Sequence, residues 1–178
     1  VYVGLDRRTD KPFLAELLLM RSCIVLCALV ALSCANANLE AAEKQSSAIG
    51  RTIEDFKLAD VRGKEHTLVD FKAQKILVVA FVGTECPLVK QYAGRLTEIA
   101  SKYADRGVGV IAIDSNQQDS LAELTHFERT HKIEFPLLKD PGNAVADQFG
   151  AERTPEVFIL DAQRKVRYHG RIDDQFDL

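Results

Sequence analysis

A single cysteine, Cys86, stands where a strongly apolar run gives way to a helical pattern. Residues 76–82, ILVVAFV, show no polar alternation, which is typical of a central strand buried on both faces. From Leu88 to Tyr103 apolar residues recur at steps of three and four, which predicts an amphipathic helix. Pro87 suits the first helical position, so Cys86 is predicted at the N-cap. The free N–H groups of a helix start stabilise an anion, so a thiolate at Cys86 would be a usable nucleophile.

The opposite interpretation of Cys86 is a packing residue. A cysteine is a small hydrophobe that is often buried and inert, so this alternative stays open. Two charged neighbours would act on a thiolate in opposite directions: Glu85 would disfavour its negative charge, whereas Lys90, one helical turn along, would favour it.

The segment FVGTECPLV, residues 81–89, resembles the active-site turn of the thioredoxin-like redoxins, the group that includes the alkyl hydroperoxide reductase/thiol-specific antioxidant family. Thioredoxins carry Cys-x-x-Cys at this turn, but the second cysteine position here is Val89, and the earlier position used by some relatives is Gly83. The resemblance therefore implies a single-cysteine variant with Cys86 as the catalytic residue and no internal resolving thiol. The turn residues expected to support it are Thr84, Pro87 and Lys90.

A second segment, RTPEVFIL at residues 153–160, resembles the redoxins at another functional position. In those proteins a proline that opens a late strand has a cis peptide bond and faces the catalytic cysteine. The resemblance assigns Pro155 to that position, Thr154 to the residue whose backbone pairs with an extended substrate, and Arg153 to a supporting cation. A trans proline that merely starts a strand is the alternative.

Strand and helix patterns alternate along the rest of the chain, which favours an α/β domain with helices on the faces of a parallel sheet. The redoxin resemblance refines this to a thioredoxin-like fold, a central mixed sheet with helices on both faces and an N-terminal β-hairpin extension. The final helix of that fold is not expected, since residues 171–178 are too short to form it. The predicted elements are a hairpin in 55–71, strands at 107–114 and 135–138, a strand within 153–160 that Pro155 opens, helices at 119–132 and 144–149, and a closing hairpin that turns at 161–164.

The beginning of the chain has the pattern of a secretory signal. Met20 is the only methionine, and it is followed by one basic residue, a short apolar core and Ala-Asn-Ala at residues 35–37. Residues 1–37 are therefore predicted to be upstream sequence plus a signal peptide (Met20–Ala37), with the mature protein beginning at Asn38. A membrane span remains the alternative, although the apolar core is shorter than a span requires. A lipid attached to Cys34 is a weaker alternative.

Cleavage of that signal would remove every other cysteine and leave Cys86 as the sole thiol of an exported protein. Such a thiol is either reactive or paired with another molecule. Residues 38–50 are expected to be a tether, and 51–178 the redoxin domain. No metal or other cofactor is expected, because His126 and His131 are five residues apart and do not share a helix face. His66 and His169 are predicted to be residues at the edge of the sheet.

Three functions remain open from the sequence. The first is an extracytoplasmic thiol–disulfide oxidoreductase, in which the Cys86 thiolate forms a mixed disulfide with a protein or small-molecule disulfide and an external thiol is the reductant. The second is a one-cysteine peroxidase acting on a peroxide, although the threonine expected three residues before the cysteine is Gly83 here. The third is a non-catalytic redoxin module. Nucleic acid is not expected as a partner, because no basic block occurs, and a membrane is expected only if the signal is uncleaved.

Overall fold

The computed structural model describes residues 48–173. The predicted upstream segment and signal peptide, residues 1–37, lie outside the described residues, as do residues 38–47 of the predicted tether and residues 174–178.

The last residues of the predicted tether belong to the folded domain. Ala48 is 7% exposed and packs in the core, and the Gly50 N–H donates to the Val166 carbonyl at 2.8 Å.

Within residues 48–173 the strands form one mixed sheet of seven, in the order β2-β1-β5-β4-β3-β6-β7. β3, β4 and β5 run parallel, while β6 and β7 at one side and β1 and β2 at the other are antiparallel to their neighbours. The β1–β2 pair is the predicted N-terminal hairpin. The strands are β1 (Lys57–Asp60), β2 (Glu65–Thr67), β3 (Ile76–Val82), β4 (Val108–Asp114), β5 (Leu137–Lys139), β6 (Glu156–Leu160) and β7 (Val166–Gly170).

Three α-helices connect these strands: α1 (Pro87–Tyr103), α2 (Leu121–Thr130) and α3 (Ala144–Phe149). A capping box starts α2, since the Ser120 hydroxyl accepts from the Glu123 N–H at 3.2 Å and the Glu123 carboxylate accepts from the Ser120 N–H at 2.7 Å. Gly150 ends α3 with a φ of 73°, a left-handed conformation that glycine adopts without strain. Short 3-10 helices occupy Leu68–Phe71 and Ala104–Arg106. In the described part of the chain, no helix combines the length and apolar character that crossing a membrane requires.

The side chains of β3 alternate between two cores, one on each face of the sheet. Leu77, Val79 and Phe81 pack on the face that α3 covers through Val145 and Phe149. The intervening residues Val78, Ala80 and Val82 pack on the other face, beneath α1 and α2. Burial on both faces explains the unbroken apolar run of β3, and it confirms the predicted mixed sheet with helices on both faces.

His66 lies on β2, an edge strand of the sheet, as predicted, but its side chain is buried. His66 is 6% exposed, and its Nε2 lies 3.0 Å from Asp60 Oδ2 across the β1–β2 hairpin. β1 pairs with β5, so the hairpin continues the main sheet. The sequence pattern of the hairpin could not show this pairing, because β5 lies some seventy residues further along the chain.

Candidate active site

The structure places Cys86 at the N-cap of α1, as predicted, with an extended backbone (φ −70°, ψ 118°) and Pro87 at the first helical position. The Cys86 N–H donates to the Gly83 carbonyl at 3.2 Å, which closes the turn between β3 and α1. The side chain is half-buried and packs against the core beneath α1. Among residues 48–173 it is the only cysteine and is unpaired. The Cys86 thiol is therefore packed against the core on one side and partly exposed to solvent on the other.

The peptide bond between Thr154 and Pro155 is cis, as predicted. The Cys86 thiol donates to the Thr154 carbonyl, with Sγ and O separated by 3.2 Å. These two segments are 68 positions apart in the chain, and the pairing of β3 with β6 brings them together. The two motifs recognised separately in the sequence therefore form one site.

The two cations expected near the thiol each pair with a carboxylate. Lys90 Nζ lies 3.8 Å from Glu85 Oε2, and Arg153 Nε lies 3.7 Å from Glu156 Oε1. The pair of Lys90 with Glu85 is exposed, and exposed ion pairs are weak, whereas Arg153 is an exposed cation beside a buried carboxylate. Their action on the charge of Cys86 stays a prediction.

Sequence reasoning missed a buried carboxylate behind the active-site turn. Asp119 is 4% exposed, and its Oδ2 accepts the Thr84 N–H at 2.8 Å and the Asn116 side-chain amide at 3.2 Å. Thr84 itself is buried and precedes Cys86 by two residues. The carboxyl ends of β3 and β4 meet at the same edge of the sheet, so a polar residue after β4 was a candidate for this contact.

A second carboxyl group lies beside the first. Asp114, at the end of β4, is fully buried and pairs with Lys139 Nζ at 2.6 Å. Burial raises the pKa of Asp114 to about 7, and the contact with Asp119 adds to this effect while Lys139 opposes it. Burial also disfavours the charge of Asp119, but hydrogen bonds from Asp114 and the Thr84 N–H outweigh it and lower the pKa of Asp119. The environment therefore shifts the pKa values of the two carboxyl groups in opposite directions, and Asp114 is the one that takes up a proton as the pH falls below about 7.

A groove of about 600 Å³ adjoins the cis proline. Thr154 and Pro155 form one wall, the first two turns of α1 contribute Leu88 and Tyr92, and His169 lies on the wall formed by β7. His169 lies on β7, the other edge strand of the sheet, as predicted. Its side chain is about one quarter exposed, stacks on Phe158 and is hydrogen-bonded to Glu156, and the sequence did not indicate these contacts.

The described part of the chain contains no group of three or more His, Cys, Asp and Glu side chains arranged to hold a metal ion. The chemistry that residues 83–86 and 154–155 can perform is that of a positioned thiol next to a groove.

Comparison with known proteins identifies the family. The AhpC/TSA family profile matches residues 49–169. The thiol-disulfide oxidoreductase ResA of Geobacillus thermodenitrificans is 29% identical over 150 residues, which cover 84% of each chain. Among solved structures, a hypothetical protein of Sinorhizobium meliloti is 35% identical, with a TM-score of 0.70 and 74% of each chain covered. The peroxidoxin BcpB of Mycobacterium tuberculosis is 25% identical, with a TM-score of 0.59, over 66% of this chain and 81% of that one. The chain has a thioredoxin-like fold, and it belongs to the AhpC/TSA family.

Proposed function

We propose that this chain is a thiol–disulfide oxidoreductase that acts outside the cytoplasm, with the Cys86 thiolate as its nucleophile. The observation that carries the proposal is the position of Cys86 Sγ, at the start of α1 and 3.2 Å from the carbonyl of Thr154 beside cis-Pro155. The resemblance to ResA, whose name states this activity, supports it.

In the first step the Cys86 thiolate attacks one sulfur of a substrate disulfide. A bond forms between Cys86 Sγ and that sulfur, the substrate S–S bond breaks, and the second substrate sulfur leaves with the electron pair and takes up a proton. Cys86 is thereby oxidised to a mixed disulfide, and one substrate thiol is released. Thr154 and Pro155 would bind the substrate chain beside the cysteine.

The second step needs a thiol that the described domain does not contain. Val89 occupies the place of the second cysteine of a Cys-x-x-Cys turn. The mixed disulfide must therefore be broken by an external thiol, which attacks Cys86 Sγ and releases the second substrate thiol. A second external thiol then attacks the new mixed disulfide, so that the two reductant molecules leave as a disulfide and Cys86 leaves as a thiolate.

Replacing Cys86 with serine should abolish reduction of a protein disulfide in the presence of an external thiol. The hydroxyl of serine is not ionised near neutral pH and cannot form a mixed disulfide. The assay is turbidimetric reduction of insulin, with Ser101→Ala, on the exposed side of α1, as the matched surface control. An active Cys86→Ser protein would refute the assignment of the nucleophile.

A one-cysteine peroxidase is the second candidate, and the similarity to the peroxidoxin BcpB favours it. Its thiolate would attack a peroxide oxygen, forming sulfenic acid and releasing water or an alcohol. One contact argues against it. A Cβ at Gly83, where such peroxidases carry threonine, would lie 2.2 Å from the Asn116 side-chain nitrogen, which is bonded to Asp119. Measuring peroxide consumption beside insulin reduction distinguishes the peroxidase from the oxidoreductase. No activity in either assay would favour a non-catalytic module.

Export is the part of the proposal that rests on the N-terminal sequence. N-terminal sequencing of the mature protein should begin at Asn38, since Ala-Asn-Ala at 35–37 has the small residues that signal peptidase prefers. A mature protein that retains Met20 would contradict cleavage and would favour an anchored protein.

A further inference from the structure

The residue that follows the cis proline, Glu156, is a buried carboxylate whose two oxygens bind different parts of the site. It is 3% exposed at the start of β6. Its Oε2 accepts the backbone N–H groups of Glu152 and Arg153, at 2.7 and 3.3 Å. Its side chain therefore folds back along its own chain and closes residues 152–156 into a ring.

The other oxygen of Glu156 joins this loop to β7. His169 Nε2 donates to Oε1 at 2.7 Å, since a carboxylate can only accept. The imidazole is itself fixed, because it stacks on Phe158 with ring centroids 4.3 Å apart and planes within 9°. Phe158 is fully buried and is the register partner of His169 in the β6–β7 pair. The carboxylate thus has one rigid partner in the sheet, and in the loop it has two backbone N–H groups and the Arg153 side chain, whose Nε lies 3.7 Å from Oε1.

The loop that Glu156 holds carries both groups that face the cysteine. Thr154 O meets Cys86 Sγ at 3.2 Å, and Thr154 and Pro155 line the groove of about 600 Å³. His169 and Glu156 line the same groove. Any movement of residues 152–153 would move the carbonyl that contacts the thiol, because Thr154 directly follows Arg153 in the chain.

We infer that Glu156, oriented by His169, is the positioning residue of the site: it fixes residues 152–155 so that a disulfide substrate in the groove meets Cys86. The hydrogen bonds that the carboxylate accepts from both parts of the site offset the cost of burying it. This inference rests on the proposed function for its kinetic consequence, but its structural part does not depend on any activity.

The test compares three variants with the exposed control Glu98→Gln on α1. Glu156→Ala removes both acceptors, Glu156→Gln keeps an acceptor of the same length, and His169→Phe keeps the stacked ring but loses the bond to the carboxylate. Backbone amide hydrogen exchange is followed at Glu152 and Arg153, and the thermal unfolding of each variant is recorded beside it.

In Glu156→Ala the amides of Glu152 and Arg153 should exchange at least about tenfold faster, since their acceptor is gone. The kcat/KM for a protein disulfide should fall by about tenfold or more, mainly through KM, because the groove wall shifts. Alkylation of Cys86 by iodoacetamide, which needs no groove, should change by less than about twofold. Glu156→Gln should recover most of the loss, and His169→Phe should lose about threefold, since one of the anchoring bonds is missing.

Unchanged exchange in Glu156→Ala, or a Gln variant as impaired as the Ala variant, would overturn the inference. A fall in alkylation as large as the fall in kcat/KM would also overturn it, since the cysteine itself would then be affected. If the wild-type protein reduces no disulfide, the proposed function fails, while the exchange rates of Glu152 and Arg153 still decide whether Glu156 holds the loop.

Discussion

Replacing Val89 with cysteine should give the site an internal resolving thiol. Val89 lies one helical turn after Cys86 on the same side of α1, because residues three positions apart are neighbours on a helix. It is 2% exposed and packs in the core beneath α1. Cysteine is close to valine in size, so the exchange should cost less than about 1.5 kcal/mol of stability.

When wild-type protein reacts with a probe disulfide in the absence of external thiol, one half of the probe should be released and the other half should remain on Cys86 as a mixed disulfide. In Val89→Cys the new thiol should attack Cys86 Sγ, release the second half of the probe and leave a disulfide between 86 and 89. An intramolecular attack has a far higher effective concentration than millimolar external thiol, so release should be at least about a hundredfold faster. Stopped-flow detection of the released thiol and the intact mass of the protein report the two states.

Gly94→Cys is the matched control for the added thiol. It places a cysteine on the exposed surface of α1, where a new side chain has open space. This position is about 12 Å from Cys86 along the helix axis. Gly94→Cys should leave the mixed disulfide intact. A Val89→Cys protein that retains the probe as long as the Gly94→Cys protein does would show that the turn does not have the geometry of a redox-active dithiol.

Asp114 should make the protein less stable as the pH rises toward neutrality. Burial raises its pKa to about 7, whereas in the unfolded chain it titrates near 3.8. Below the unfolded pKa both states are protonated, so this contribution to stability is fully present. Between the two values only the folded state holds the proton, and the contribution is lost progressively as the pH rises through about 7. The loss has an upper limit of a few kcal/mol, since one pKa unit corresponds to about 1.4 kcal/mol.

Asp114→Asn should remove this dependence. Asparagine resembles the protonated acid, because its oxygen can accept from Lys139 and its amide can donate to Asp119. The free energy of unfolding, measured in urea at pH 5.5 and pH 8.5, should therefore fall less for the variant than for the wild type. At the higher pH the variant should be the more stable of the two.

Asp105→Asn is the control for that measurement, because it removes the same formal charge from an exposed position. The free energy of unfolding of Asp105→Asn should change between pH 5.5 and pH 8.5 by as much as that of the wild type. Equal changes between the two pH values in wild type and Asp114→Asn would mean that Asp114 does not hold the proton in the folded state.

The sequence by itself determined the main elements of this protein and the position of its candidate nucleophile. The unbroken apolar run of β3, the three- and four-residue steps of α1 and Pro87 at its start are local patterns, and local patterns report local structure. They placed Cys86 at a helix N-cap without any tertiary information. The resemblance carried by FVGTECPLV and by the segment at 153–160 added the family and the cis bond before Pro155, and the family match and the backbone confirm both.

Only the tertiary structure decided which polar residues surround the cysteine. Asp119 reaches the Thr84 N–H because the carboxyl ends of β3 and β4 meet at one edge of the sheet. Glu156 reaches His169 because β6 and β7 are in register. Neither of these two contacts can be predicted from local sequence, since an isolated acidic residue or histidine is typical of the protein surface unless its neighbours in space are known. Burial turns these residues into functional candidates, because a buried charge must find partners, and the fold alone determines which partners it has.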